Sequence, residues 1–86
     1  MYIKLKQKEL DLRASRAAIA KGVYKERAKQ GYSIKIFAKM VGVSGSYIHT
    51  LRSGANGSLS CHLVARCCEL LEVSEEYLYN LGKIED

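Results

Sequence analysis

Two clusters of side chains in this 86-residue sequence have types suited to chemistry. The first is Cys61-His62 with Cys67-Cys68, which together offer thiolate and imidazole ligands for a metal ion. The spacing C-H-x4-C-C matches no common zinc pattern, however, and adjacent cysteines project about 100° apart on a helix. Cys61, Val64, Ala65, Cys68 and Leu71 fall instead on one helical stripe. The expectation is therefore small buried thiols, with no metal and no cofactor. Three cysteines are an odd number, so no disulfide framework is implied. No nucleophile–base–orienter set, paired carboxylates or phosphate-cradling glycine loop can be found, and Cys61-His62 lacks a third partner. Catalysis is not expected.

The second cluster is polar and cationic: Ser44, Ser46, His49, Thr50 and Ser53, with Ser33, Lys35, Lys39 and Arg52 around them. What must position it is written into Ile34–Ser53. Phe37, Ala38 and Val41 share one face at helical spacing, and so do Ile48 and Leu51. Ala38 is small enough for a second helix to cross closely. Gly42 can take the positive φ of a sharp helix exit, and Ser44 offers an oxygen to the free N–H groups that open the next helix. The pattern predicts a helix over about 34–41, a short turn, and a second helix over about 45–53. With Ile48 and Leu51 facing inward, Ser46, His49, Thr50 and Ser53 face the other way. This is a helix-turn-helix pattern, a unit used for reading the DNA major groove more than for anything else.

The remaining elements read as helices as well. Residues from about Asp11 to Gln30 are rich in Ala, Lys, Arg and Glu, with Ile19, Val23 and Arg27 recurring every four residues and Gly31 at the expected stop. The first ten residues are ambiguous: Tyr2 to Lys6 alternates like a strand, yet Leu5, Leu12 and Ile19 are seven apart, and the expectation is helix from about Lys8. Ser60 caps a helix over about 61–71. Ser74, with Glu75 and Glu76 in the first turn, opens another that Gly82 ends. The fold class expected is all-α: one compact domain of five helices over residues 1–86, with a basic N-terminal extension over 1–15.

Composition agrees. A hydrophobic fraction of 48% suffices for a core, and no apolar run reaches a membrane span or a signal-peptide core. The expectation is a cytoplasmic protein that avoids membranes. The net charge of +5 is unevenly placed. Residues 1–52 carry twelve Lys and Arg against three acids, a balance of +9, whereas residues 53–86 carry two against six, a balance of −4. A basic half that holds the helix-turn-helix pattern suits a polyanion.

At this point the chain resembles the lambda-repressor-like DNA-binding domains, the family of phage repressors, Cro proteins and xenobiotic-response-element regulators. The resemblance covers about 19–78. It rests on Arg27 with Gly31-Tyr32-Ser33, Phe37-Ala38, Val41-Gly42-Val43-Ser44, Ser46-Tyr47-Ile48, Leu51, Gly54, Leu71-Glu72-Val73-Ser74 and Tyr77-Leu78. It implies that the helix at 45–53 enters the major groove of double-stranded DNA. Ser44, Gly45, Ser46, His49 and Thr50 are then the candidates for base contacts, since Ser and Thr hydroxyls serve several bases and the Thr methyl can meet thymine. Arg, Asn and Gln, the bidentate readers, are scarce there. Candidates for phosphate contacts are Ser33 and Lys35 at a helix mouth, then Lys39, Arg52, Ser53 and Asn56. Tyr47 is expected to be a packed edge residue.

Three positions depart from the family pattern. Ile34 stands where a glutamine is common, Arg52 where an acidic residue often pairs with the arginine matching Arg27, and Glu26 where an apolar residue is usual. The expectation is an exchange of polarity, with Glu26 satisfying Arg52 or Arg27. The resemblance implies a sequence-specific transcriptional regulator, of the phage or plasmid repressor type, acting as a homodimer on DNA. Tyr77, Tyr79 and Leu81 of the last helix are the candidate dimer surface, and no small-molecule ligand is expected. The alternative is a protein of the same fold that acts as an adaptor or antitoxin-like partner through protein contacts. Poor base-reading capacity favours that alternative, and the basic half opposes it.

Overall fold

The computed structural model describes residues 2–54 and 59–84, with side chains from Ser15 onward. Five helices follow one another: α1 (Tyr2–Lys29), α2 (Ile34–Val41), α3 (Gly45–Leu51), α4 (Cys61–Leu71) and α5 (Glu75–Lys83). No strand occurs among the described residues. No helix among them is long and apolar enough to cross a membrane.

Each of the four short helices opens on a serine. Ser33, Ser44, Ser60 and Ser74 hold extended backbone, and each hydroxyl accepts the amide three residues on, from Ile36, Tyr47, Leu63 and Tyr77 at 3.0–3.2 Å. Caps of this kind contribute about 1 kcal/mol each. They matter most for α3, whose 7 residues are too few to hold a helix unaided. Gly42 closes α2 at φ 89°, and the amides of Gly42 and Val43 both donate to the Ala38 carbonyl at 2.8 and 3.0 Å. The α4 exit is different. Glu72 sits there at φ 56°, a left-handed conformation that a side chain disfavours.

Two boundaries differ from the sequence expectation. Helix α1 begins at Tyr2 rather than near Lys8, because nothing in the first turns breaks a helix and Leu, Lys, Gln and Glu all favour one. Its 28 residues span about 42 Å at 1.5 Å per residue, close to the 45 Å long axis of the molecule. Helix α3 stops at Leu51, and Arg52 to Gly54 form a turn in which Gly54 takes φ 70°.

The core gathers Ile19, Ala20 and Val23 from α1, Phe37, Ala38 and Val41 from α2, Ile48 and Leu51 from α3, Val64, Cys67 and Leu71 from α4, Leu78 from α5, and Leu59. On α4 the buried stripe is Val64, Cys67 and Leu71, whereas Cys61 and Ala65 are exposed and Cys68 is half-buried. The expected stripe through Cys61, Ala65 and Cys68 is thus rotated. The faces of a short helix rich in small residues are set by what it docks against, and here Cys67 is turned inward. Burial pushes the Cys67 thiol up to about 11.

Helix α5 lies across α1 at close range, and glycines make that possible. A Cβ on Gly22 would fall 1.9 Å from the Leu78 carbonyl oxygen, and one on Gly82 would fall 1.6 Å from the Ala18 carbonyl oxygen. Both positions admit glycine alone. Gly82 is therefore a packing residue inside α5 and not its terminator, which corrects the sequence reading; the helix continues to Lys83.

A polar strap reinforces the same junction. Glu26, 5% exposed, accepts from the Tyr77 hydroxyl at 2.8 Å and from the Gln30 side-chain amide at 2.8 Å. The Gln30 amide also donates to the Leu71 carbonyl at 2.8 Å, which ties in the end of α4. Lys29 donates to the Tyr77 oxygen at 3.2 Å. Tyr77 first, and Glu26 after it, hold the Lys29 ammonium above its usual range. The expected partnership of Glu26 with Arg27 or Arg52 is replaced by this strap. Arg27 points elsewhere: it donates to the Tyr32 carbonyl at 2.5 Å and lies 4.5 Å over the Tyr24 ring. Its buried Nε has no hydrogen-bond partner among the described residues.

Candidate nucleic-acid interface

Ile48 and Leu51 are each 1% exposed and anchor α3 to the core. Helical geometry then turns the opposite face outward, and Ser46, His49 and Thr50 are all exposed. Ser44 is also exposed, with its hydroxyl already accepting the Tyr47 amide at 3.1 Å. Gly45 opens the helix half-buried. A Cβ there would lie 3.8 Å from an Ile34 methyl, an ordinary contact, so packing within the chain does not demand this glycine. Tyr47 packs against the core as expected, with its hydroxyl buried.

The hydroxyls of α3 and of the turn after it are partly committed. Thr50 donates to the Tyr47 carbonyl at 2.5 Å, and Ser53 donates to the Thr50 carbonyl at 3.3 Å. On α2, Ser33, Lys35 and Lys39 are exposed. Ile34 is half-buried and packs on the core.

The α2 and α3 faces meet in a groove of about 490 Å³ lined by Ile34, Lys35, Ala38, Lys39, Val43, Gly45 and His49. Lys35, Lys39, Gly45 and His49 among the sequence candidates are thus brought together. Arg52 is not part of this groove; it lines a second one with Lys21, Lys25 and Lys29. Asn56 lies outside the described residues. The candidates on α5 divide: Tyr77 is 36% exposed with its hydroxyl tied to Glu26, Tyr79 is half-buried with the Lys83 ammonium 4.9 Å from its ring centre, and Leu81 is half-buried.

Sequence reasoning missed Ile36, which is 57% exposed beside Lys35. Its offset from the Phe37-Ala38-Val41 face was the available signal. Among the described residues, no three His, Cys, Asp or Glu side chains stand where they would hold a metal ion. Comparison of the chain with protein-family models, curated proteins and solved structures returns no match.

Proposed function

We propose that this chain is a lambda-repressor-like, sequence-specific regulator that binds double-stranded DNA as a homodimer and reads the major groove with α3. The observation that carries the reading is the two-faced character of α3. Ile48 and Leu51 are sealed into the core while Ser46, His49 and Thr50 stand clear, beside Lys35 and Lys39 on α2. A helix held rigidly by one face and polar on the other, flanked by cations, suits a groove walled by phosphates. Lys35 and Lys39 engage the backbone, the α3 face meets base edges, and Tyr77, Tyr79 and Leu81 contribute to the dimer contact.

The test is selection of bound sequences from a random duplex pool, repeated with Ser46→Ala and Thr50→Ala. An altered motif supports readout by α3. Failure of any duplex to bind even in dilute buffer refutes the reading. Affinity is expected to fall steeply between ~50 and ~200 mM salt, by ~10³-fold or more if six phosphates are contacted.

A second reading, an adaptor that holds another protein, draws on one specific feature. Thr50 and Ser53 donate to carbonyls of α3, and Ile36 exposes an apolar side chain on the neighbouring helix. Salt-insensitive capture of a protein partner, lost in Ile36→Lys, would favour it.

A further inference from the structure

The second groove is not accounted for by the reading above. It measures about 650 Å³ and is lined by Lys21, Tyr24, Lys25, Ala28, Lys29, Arg52 and Leu81. Among the described residues that line it, four of seven are cations and none is an acid. Lys21, Lys25 and Lys29 recur every four residues on α1, about 6 Å apart along the axis, and Arg52 arrives from the turn after α3. The floor between them is apolar: Tyr24, Ala28 and Leu81.

Two of these lysines are half-buried, although lysine seldom leaves water without a compensating partner. Lys25 has one in the end of α5, where it donates to the Leu81 and Ile84 carbonyls. Lys21 is held by shape. The turn at Gly54 is so close that a Cβ there would meet the Lys21 Cε at 2.9 Å, so the aliphatic stem is pressed between α1 and the turn. The nearby carboxylate on α1, Glu26, is spent on Tyr77 and Gln30. Among the described residues no acid lines the groove, and a bound anion would give Lys21 and Arg52 a partner of opposite charge.

We infer that this groove is a binding site for a compact, multiply charged phosphate ester with a planar group, of the nucleoside diphosphate class. Lys21, Lys29 and Arg52 receive the phosphate oxygens, with Arg52 suited to a two-pronged contact, and the planar group lies on the floor of Tyr24 and Leu81. The volume falls in the range of small-ligand sites, and an apolar floor with a few directed polar groups is their usual make-up. The inference does not rest on the DNA reading, and it reverses the expectation of no small ligand. The groove was invisible in the sequence because its cations come from elements about thirty residues apart.

The test is amide chemical-shift mapping of the whole chain titrated with ADP, with inorganic pyrophosphate and with a short duplex as separate arms. Saturable shifts centred on Lys21, Tyr24 and Leu81 with ADP, weaker with pyrophosphate, are expected. The variant Lys21→Gln/Arg52→Gln should weaken ADP by roughly tenfold or more while keeping the wild-type spectrum elsewhere. No saturation at millimolar ADP overturns the proposal, and so does unchanged affinity in the variant. Groove shifts caused by the duplex alone also overturn it, assigning the cations to a nucleic-acid backbone. Pyrophosphate binding as tightly as ADP would overturn the role of the floor.

Discussion

Replacing Gly82 by alanine sets two physical effects against each other. By helix propensity alone the change should stabilise, since alanine is favoured over glycine by about 1 kcal/mol inside a helix. The α1–α5 junction demands the reverse, because the added Cβ would sit 1.6 Å from the Ala18 carbonyl oxygen, a backbone atom that no rotamer change can move. Ordinary contact requires roughly twice that separation, so α5 would have to lift by more than an ångström. The lift would strain the 2.8 Å bond from Tyr77 to Glu26 and uncover Leu78, which is fully buried. Overpacking costs about 1–3 kcal/mol, and partial loss of the buried hydrogen bond adds ~1 or more. A net loss of about 3 kcal/mol is expected, against a total stability of ~4–13 kcal/mol for a chain of this length. In a urea titration the midpoint should fall by about 2 M or more, and in a thermal melt by roughly 10–20 °C. Gly45→Ala is the control: its Cβ meets only the Ile34 methyl at 3.8 Å, and stability should be unchanged or slightly raised. If Gly82→Ala melts at or above the wild-type temperature, the close crossing of α1 and α5 is wrong.

Three further outcomes are expected. Tyr77→Phe removes one donor from the buried Glu26 carboxylate and should cost about 1–3 kcal/mol by denaturant titration; no change would mean that the strap contributes nothing. Glu72→Gly relieves the left-handed residue at the end of α4 and should raise stability by up to ~1 kcal/mol, and a fall would count against that conformation. For Cys67 the folded thiol, at about 11, lies above its ordinary value of 9.0, so the folded state retains a proton that the unfolded state releases. Its contribution is complete below pH 9 and declines as pH rises towards 11, by roughly 2–3 kcal/mol in all. Unfolding midpoints across that window check the sign, and thiol labelling should modify exposed Cys61 quickly and Cys67 only on unfolding.

Local chemistry was legible in the sequence, and chemistry between distant residues was not. The serine caps at Ser44, Ser60 and Ser74, with Gly31, Gly42 and the inward faces of α2 and α3, follow from side-chain types a few positions apart, and all stand where the pattern puts them. Gly82 reads as a terminator and Gly22 carries no signal by itself, because only their juxtaposition, sixty residues apart in sequence, makes them a contact. Glu26 was recognised as anomalous, yet its partner Tyr77 lies 51 residues away. Cys61 and Cys67 exchanged burial because short apolar stripes on α4 compete and docking decides between them. For the candidate site, the exposure of Ser46, His49 and Thr50 followed from helical periodicity, whereas the placement of Arg52 depended on the turn that ends α3 early.

The division of α3 into an anchored face and a clear one has a practical consequence. Folding draws on Ile48, Leu51 and the Ser44 cap, so exposed positions 46 and 49 tolerate exchange among helix-compatible residues, each exchange being worth about ±0.5 kcal/mol to the scaffold. A library of helix-compatible residues at those two sites would keep the bundle intact while changing what it presents, a chassis whose recognition surface can be reprogrammed without re-engineering its interior.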